Sequence, residues 1–106
     1  MIDELTIRSA INLLLKAAPR GSLVILFGSH ARGQARPDSD LDFLVVEPKP
    51  QSEPNEAVRL RKALGGLPAA VDILVASKET FLYWMETPNT IYYRAAKEGK
   101  VYEQVA

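Results

Sequence analysis

The sequence predicts an α/β (α+β) fold: one small mixed β-sheet flanked by helices. Three observations carry this reading. Short apolar runs at 22–27 (SLVILF), 40–47 (DLDFLVVE) and 70–76 (AVDILVA) have the length of buried strands. Segments with helical periodicity alternate with them. The links between the runs differ in length, so both antiparallel and parallel pairing are expected.

In chain order, residues 3–18 read as a helix, because Ile7, Ile11, Leu14 and Leu15 fall on one face at spacings of three and four. Pro19 and Gly21 end it. The first apolar run closes on Gly28. Residues 29–39 are polar and carry Gly33 and Pro37, which predicts a loop with one helical turn. After the second run, residues 48–53 form a Pro-rich surface loop. A helix starts at about Pro54, with proline at its first position and Glu56 in its first turn. Val58, Leu60, Ala63 and Leu64 supply its apolar side, and Gly65-Gly66 stops it. After the third run, Ser77 is placed to cap a helix whose Phe81, Trp84 and Met85 are assigned to the core by their spacing. Pro88 interrupts it, residues 89–98 are helical again, and Gly99 ends them. The segment VYEQV, 101–105, is expected to add a fourth strand.

A chain of 106 residues fits a single domain, 1–106, with no repeat or linker. Lysine and arginine number 13, as do aspartate and glutamate. That balance argues against bulk attraction to nucleic acid, which usually brings a basic excess. There is no cysteine and one histidine, His30, so thiolate sites and multi-imidazole zinc sites are excluded. Any metal would be held by oxygen ligands, as Mg²⁺, Mn²⁺ or Ca²⁺ are. The start MIDELTIRSA does not read as a signal peptide and no apolar stretch reaches membrane-spanning length, so a cytoplasmic location is the default expectation.

The link lengths place chemistry. About eleven residues join the first two strands, fewer than a parallel crossover needs, so these strands should be antiparallel. A full helix joins the second and third, so these should be parallel, with a right-handed crossover. Gly28 and Ser29 then leave the first strand at the edge where Asp40 and Asp42 enter the second and Asp72 enters the third. Asp40 and Asp42 are two apart, so they should share a face. Three carboxylates in one place raise each other's pKa, and a divalent cation relieves the repulsion. Two Mg²⁺ ions about 4 Å apart can share such ligands, activate an attacking oxygen and stabilise a leaving one. Asp72 lies between Val71 and Ile73 in an apolar strand, where an unpaired buried carboxylate would cost several kcal/mol. Gly28 permits close backbone approach, Ser29 offers a hydroxyl, and Arg32 stands one short turn on, where its guanidinium could meet phosphate oxygens. Asp38-Ser39 read as turn residues that set up Asp40. Taken singly, a Gly-Ser turn is usually just a turn, an acidic pair a solvated strand start, and a lone strand aspartate a hydrogen-bonded one. Their meeting at one sheet edge is what points to function.

The motifs GSHARG (28–33), SDLD (39–42) and Val71-Asp72-Ile73 resemble the DNA polymerase beta superfamily. The short length, the GS-x-ARG start, the PDSD-x-D segment and the closing Gly99-Lys100-Val101-Tyr102-Glu103 resemble its minimal nucleotidyltransferases, including those of antitoxin type. The resemblance runs from residue 23 onward and implies a polymerase beta palm-like fold. It implies that Asp40 and Asp42 bind two Mg²⁺ ions, or Mn²⁺. It further implies that Asp72 binds the catalytic metal and helps deprotonate the acceptor hydroxyl, and that Gly28 and Ser29 hold the triphosphate of ATP. His30 stands where close relatives often carry arginine; it is either a phosphate-loop contact or an exposed loop residue. Minimal members resemble antitoxins that pair with helical HEPN ribonuclease toxins, some by moving AMP onto a toxin tyrosine. This implies a HEPN-domain partner and a homo- or hetero-oligomer.

Two other classes stay open. One is a non-catalytic nucleotide-binding antitoxin or partner module that acts by complex formation alone. The other is a nucleic-acid-binding domain, which zero net charge disfavours. Tyr83, Tyr92 and Tyr93 could be surface or interface residues. Arg59, Arg61 and Lys62 read as a solvated helix face that could touch nucleic acid.

Overall fold

The computed structural model describes residues 2–103. The elements run α1 (Glu4–Ala17), β1 (Leu23–Phe27), α2 (Ser29–Arg32), β2 (Leu41–Glu47), α3 (Glu53–Ala63), β3 (Val71–Ser77), α4 (Lys78–Trp84), α5 (Ile91–Glu98) and β4 (Lys100–Glu103). Residues 104 and 105 of the expected last strand lie outside the described residues. The strands pair in the order β3-β2-β1-β4. β1 is antiparallel to both β2 and β4, while β2 is parallel to β3. The sheet is therefore mixed, and the link lengths predicted both pairings among the first three strands.

Each longer helix starts on a short polar cap. Asp3 Oδ1 accepts from the Thr6 amide at 2.8 Å, Ser77 Oγ from Thr80 at 3.0 Å, and Thr90 Oγ1 from Tyr93 at 3.1 Å. Ser52 caps α3, so Glu53 opens that helix and Pro54 takes its second position, not its first.

The sheet separates two cores. On one face Val24, Leu26, Phe43, Val45 and Ile73 pack under α1 and α3 through Ile11, Leu14, Leu60 and Leu64. On the other, Ile25, Phe27, Leu44, Val46 and Ala76 pack under Phe81 of α4 and Ala95 of α5. β2 is covered on both faces, which is why it reads as a near-continuous apolar run. Gly99 brings the end of α5 hard against β1. A Cβ there would run into the Ala95 carbonyl and Ile25 Cγ2 and come within 3.2 Å of the Leu26 carbonyl oxygen.

Three expectations are corrected. Val58 is 54% exposed, so Leu60 and Leu64 hold α3 to the core without it. Trp84 is 40% exposed, because the short α4 presents one narrow side, occupied by Phe81 with Met85 beside it. The basic residues of α3 are more than a solvated face. Arg59 Nη2 donates to the Ala17 carbonyl at 2.8 Å, and Arg61 Nη2 donates to the Val71 carbonyl. Tyr83 is exposed, while Tyr92 and Tyr93 are half-buried. Among the described residues, no helix is long and apolar enough to cross a membrane.

Candidate functional site

The strand register builds a row. Phe27 of β1 is paired with Asp42 of β2, and Asp42 with Asp72 of β3. Matched positions on neighbouring strands point to one face and lie about 5 Å apart. Asp42 and Asp72 therefore share the face that carries α4 and α5, at the sheet edge that the connection lengths predicted. Asp40 immediately precedes Leu41 and lies just outside β2, exposed at the edge of the same row.

The turn after β1 is shaped for Asp42. Gly28 has φ +81°, a left-handed backbone that side chains disfavour. A Cβ there would collide with Asp42 Oδ2 and sit 3.3 Å from its Cγ. The glycine thus serves both the turn and the carboxylate behind it. From Gly28 the chain enters α2, which Gly33 closes in a left-handed cap at φ 72°. His30 Nε2 lies 3.3 Å from the Ser39 carbonyl oxygen, and Ser39 Oγ accepts from the Arg36 amide at 2.8 Å. These contacts tie the Asp38–Asp40 turn to α2. His30 is half-buried, which corrects its reading as an exposed loop residue.

Burial, then the charges of Asp72 and Asp40, push the Asp42 carboxyl above its usual range, while Arg94 and His30 oppose the shift. The acids thus form one mutually repelling set. Asp72 is exposed, which corrects its reading as a buried carboxylate. β3 is an edge strand, and in the row that holds Asp72 only Ala76 is covered, while Asp72 and Leu74 are exposed. The penalty of unpaired burial falls on half-buried Asp42 instead. Among the described residues, no three acidic or imidazole side chains close on a common point at metal-ligand spacing. Asp42 and Asp72 share a face, and Asp40 and Asp72 are exposed. A hard-oxygen donor set of this sort suits Mg²⁺ or Mn²⁺ in its chemistry.

Arg32 is engaged in this structure. Its Nη1 donates to Glu98 Oε1 at 2.9 Å and its Nε to Gln34 Oε1 at 3.1 Å. Glu98 also faces Arg94 at 3.9 Å. Sequence reasoning missed Arg94, whose guanidinium sits 5.9 Å from the centroid of the Phe27 ring. Only the packing of α5 on β1 brings it there, and no short motif contains it.

A mixed sheet between helices, with an acidic row beside a glycine–serine turn, defines the class: a small α+β domain with its carboxylates gathered at one sheet edge. The chain belongs to the nucleotidyltransferase domain family, whose sequence profile matches residues 7–101. A search of curated proteins finds no match. Among solved structures, the chain is similar to a toxin–antitoxin crystallised with AMP-PNP. They share 23% identity at a TM-score of 0.62, over 89% of this chain and 69% of that one. It is also similar to two mutants of the toxin–antitoxin MntA-HpeT. One is 20% identical with a TM-score of 0.61, over 94% of this chain and 72% of that one. The other is 22% identical with a TM-score of 0.61, over 99% and 75%. These likenesses show a shared fold.

Proposed function

We propose that this chain transfers AMP from ATP to a hydroxyl on a partner protein, a HEPN-domain toxin, and so acts as an antitoxin. The observation that carries the reading is the row itself: Asp42 and Asp72 in register on one face, with Gly28 shaped around the Asp42 carboxylate. The toxin–antitoxin neighbours, one of them holding AMP-PNP, support the choice of nucleotide and partner.

Asp40, Asp42 and Asp72 would hold two Mg²⁺ ions. When bound, such ions neutralise phosphate charge and make a hydroxyl easier to deprotonate. Gly28, Ser29 and Arg32 would receive the triphosphate, with Arg32 turning from Glu98 to phosphate oxygens. The acceptor oxygen attacks the α-phosphorus, the bond to the β-phosphate bridging oxygen breaks, and pyrophosphate leaves. Asp72 takes the acceptor proton, and its open position on the edge strand gives a bulky acceptor access.

A second reading is contact alone, with the acidic row idle. It is favoured by the exposed outer side of α4, where Leu82 and Tyr83 are 57% and 73% exposed. Asp72→Asn separates the two. Radiolabelled ATP should label the protein encoded beside this chain with the native sequence, and labelling should fall by orders of magnitude with the variant. The complex should still form, yet the variant should fail to rescue growth against the toxin. Full rescue at native expression would end the enzymatic account.

A further inference from the structure

We propose that Arg94 is a second triphosphate-binding arginine, held beside Arg32 by their shared counter-ion Glu98. The inference rests on the nucleotidyl-transfer reading and adds to it a residue from α5, far outside the glycine–serine and aspartate motifs.

The row supplies the geometry. Its positions across the sheet are Phe27, Asp42 and Asp72. The Arg94 guanidinium stands over the Phe27 ring at 5.9 Å, so α5 brings a cation to the first position of the row, beside the one that Asp42 holds. Phe27 is followed directly by Gly28 and Ser29. The guanidinium is therefore carried over the residue that pairs with Asp42 and leads into the turn.

Glu98 explains why two arginines stay together at that corner. Its Oε1 is 2.9 Å from Arg32 Nη1 and 3.9 Å from Arg94 Nε. One carboxylate facing two guanidiniums leaves a net positive charge. The pair with Arg94 is long, and the Arg94 side chain is 53% exposed. An exposed ion pair of that length contributes little to stability. It costs little to exchange for phosphate oxygens, which guanidinium planes match well. The ring beneath attracts the cation without using its donors. Gly99 locks the arrangement, since its missing side chain lets the end of α5 close on Ile25 and Leu26 of β1.

A purely structural Arg94 would support α5 and treat all nucleotides alike. The test is therefore a comparison of ligands. Calorimetry with Mg²⁺ would measure ATP, tripolyphosphate and AMP binding to the full chain and to R94A and R94K, with thermal unfolding of each. Arg94→Ala should weaken ATP and tripolyphosphate by about tenfold or more, the usual effect of losing a charge-assisted hydrogen bond. AMP should be nearly unaffected and the unfolding midpoint little changed. Arg94→Lys, which keeps the charge without the planar fork, should fall between. If the folded variants bind ATP and tripolyphosphate as the native chain does, Arg94 is structural and the inference is wrong. If R94A does not fold, R94K decides in the same way, by whether the ratio of ATP to AMP affinity drops. A native chain that binds ATP no better than AMP would remove the nucleotidyl-transfer reading itself, and this inference with it.

Discussion

At the scale of single residues, Gly28 and Asp42 form one unit. The glycine lacks the atom that would strike the carboxylate and has a backbone that favours no side chain. Gly28→Ala should cost at least about 1 kcal/mol from the left-handed backbone alone, before the collision is counted. Urea unfolding would measure this, and transfer activity should vanish with it. Asp42 pulls the other way. Its native carboxyl holds a proton more tightly than its usual value of 3.8. The native state therefore binds more protons than the unfolded chain just above that value, and stability falls as pH rises through the native pKa. Asp42→Asn should abolish transfer yet leave stability unchanged or slightly raised at neutral pH, a trade common at active sites. A loss of several kcal/mol would recast the residue as structural. Both residues were legible as a motif. That Asp72 is exposed was not, because an apolar strand looks the same in sequence whether it lies inside a sheet or at its edge.

At the scale of elements, the far end of β2 meets α3 through Glu47, Glu56 and Arg59. Glu47 is buried, and its Oε2 has no hydrogen-bond partner in this structure. Burial first, then Glu56 alongside, pushes its carboxyl up to about 7 from 4.5. The hydrogen bond from Arg59, then Glu47, holds Glu56 down at about 2. For Glu47, stability is greatest at low pH and declines as pH rises from about 4.5 through about 7. For Glu56, stability rises between about 2 and 4.5. Glu47→Gln removes the first slope. Urea unfolding at pH 5 and pH 8 should show the native chain losing on the order of 1 kcal/mol across that span. The variant should lose much less and be the more stable at pH 8. Equal slopes would show that Glu47 titrates normally. This pair was invisible in sequence, since nothing in a strand end and a helix start announces that their acids will meet. The elements themselves were readable, because strand runs and helical periods are local. Trp84 and Val58 were misplaced because a period names a face without saying how wide the covering neighbour is.

At the scale of the whole molecule, three strands contribute to one corner and a ligand there would cross-brace them. Nucleotide with Mg²⁺ should raise the unfolding temperature, since binding to the native state stabilises it by about 2.7 kcal/mol at a hundredfold excess over Kd. For a domain of this size that is a rise of roughly 10 °C or more. Mg²⁺ alone should give little, because phosphate oxygens complete its shell. EDTA should erase the gain, and a rise indifferent to chelator would contradict the metal site. The corner itself was foreseeable from connection lengths. Arg94 was not, because its place depends on α5 folding back over β1, a contact 67 residues apart between Phe27 and Arg94.

The position of β3 at the end of the sheet order bears on how such a catalyst would find its target. Asp72 is exposed beside a flank that none of the described strands covers, so it stands open to a hydroxyl brought from outside. Selectivity then becomes a matter of tethering. A partner held for long enough presents its hydroxyl at an effective concentration that free molecules do not reach. A short peptide carrying the same hydroxyl would be a poor acceptor, however well it matched in sequence. Recognition and chemistry would be divided between two surfaces, and whatever grips the partner would set the address.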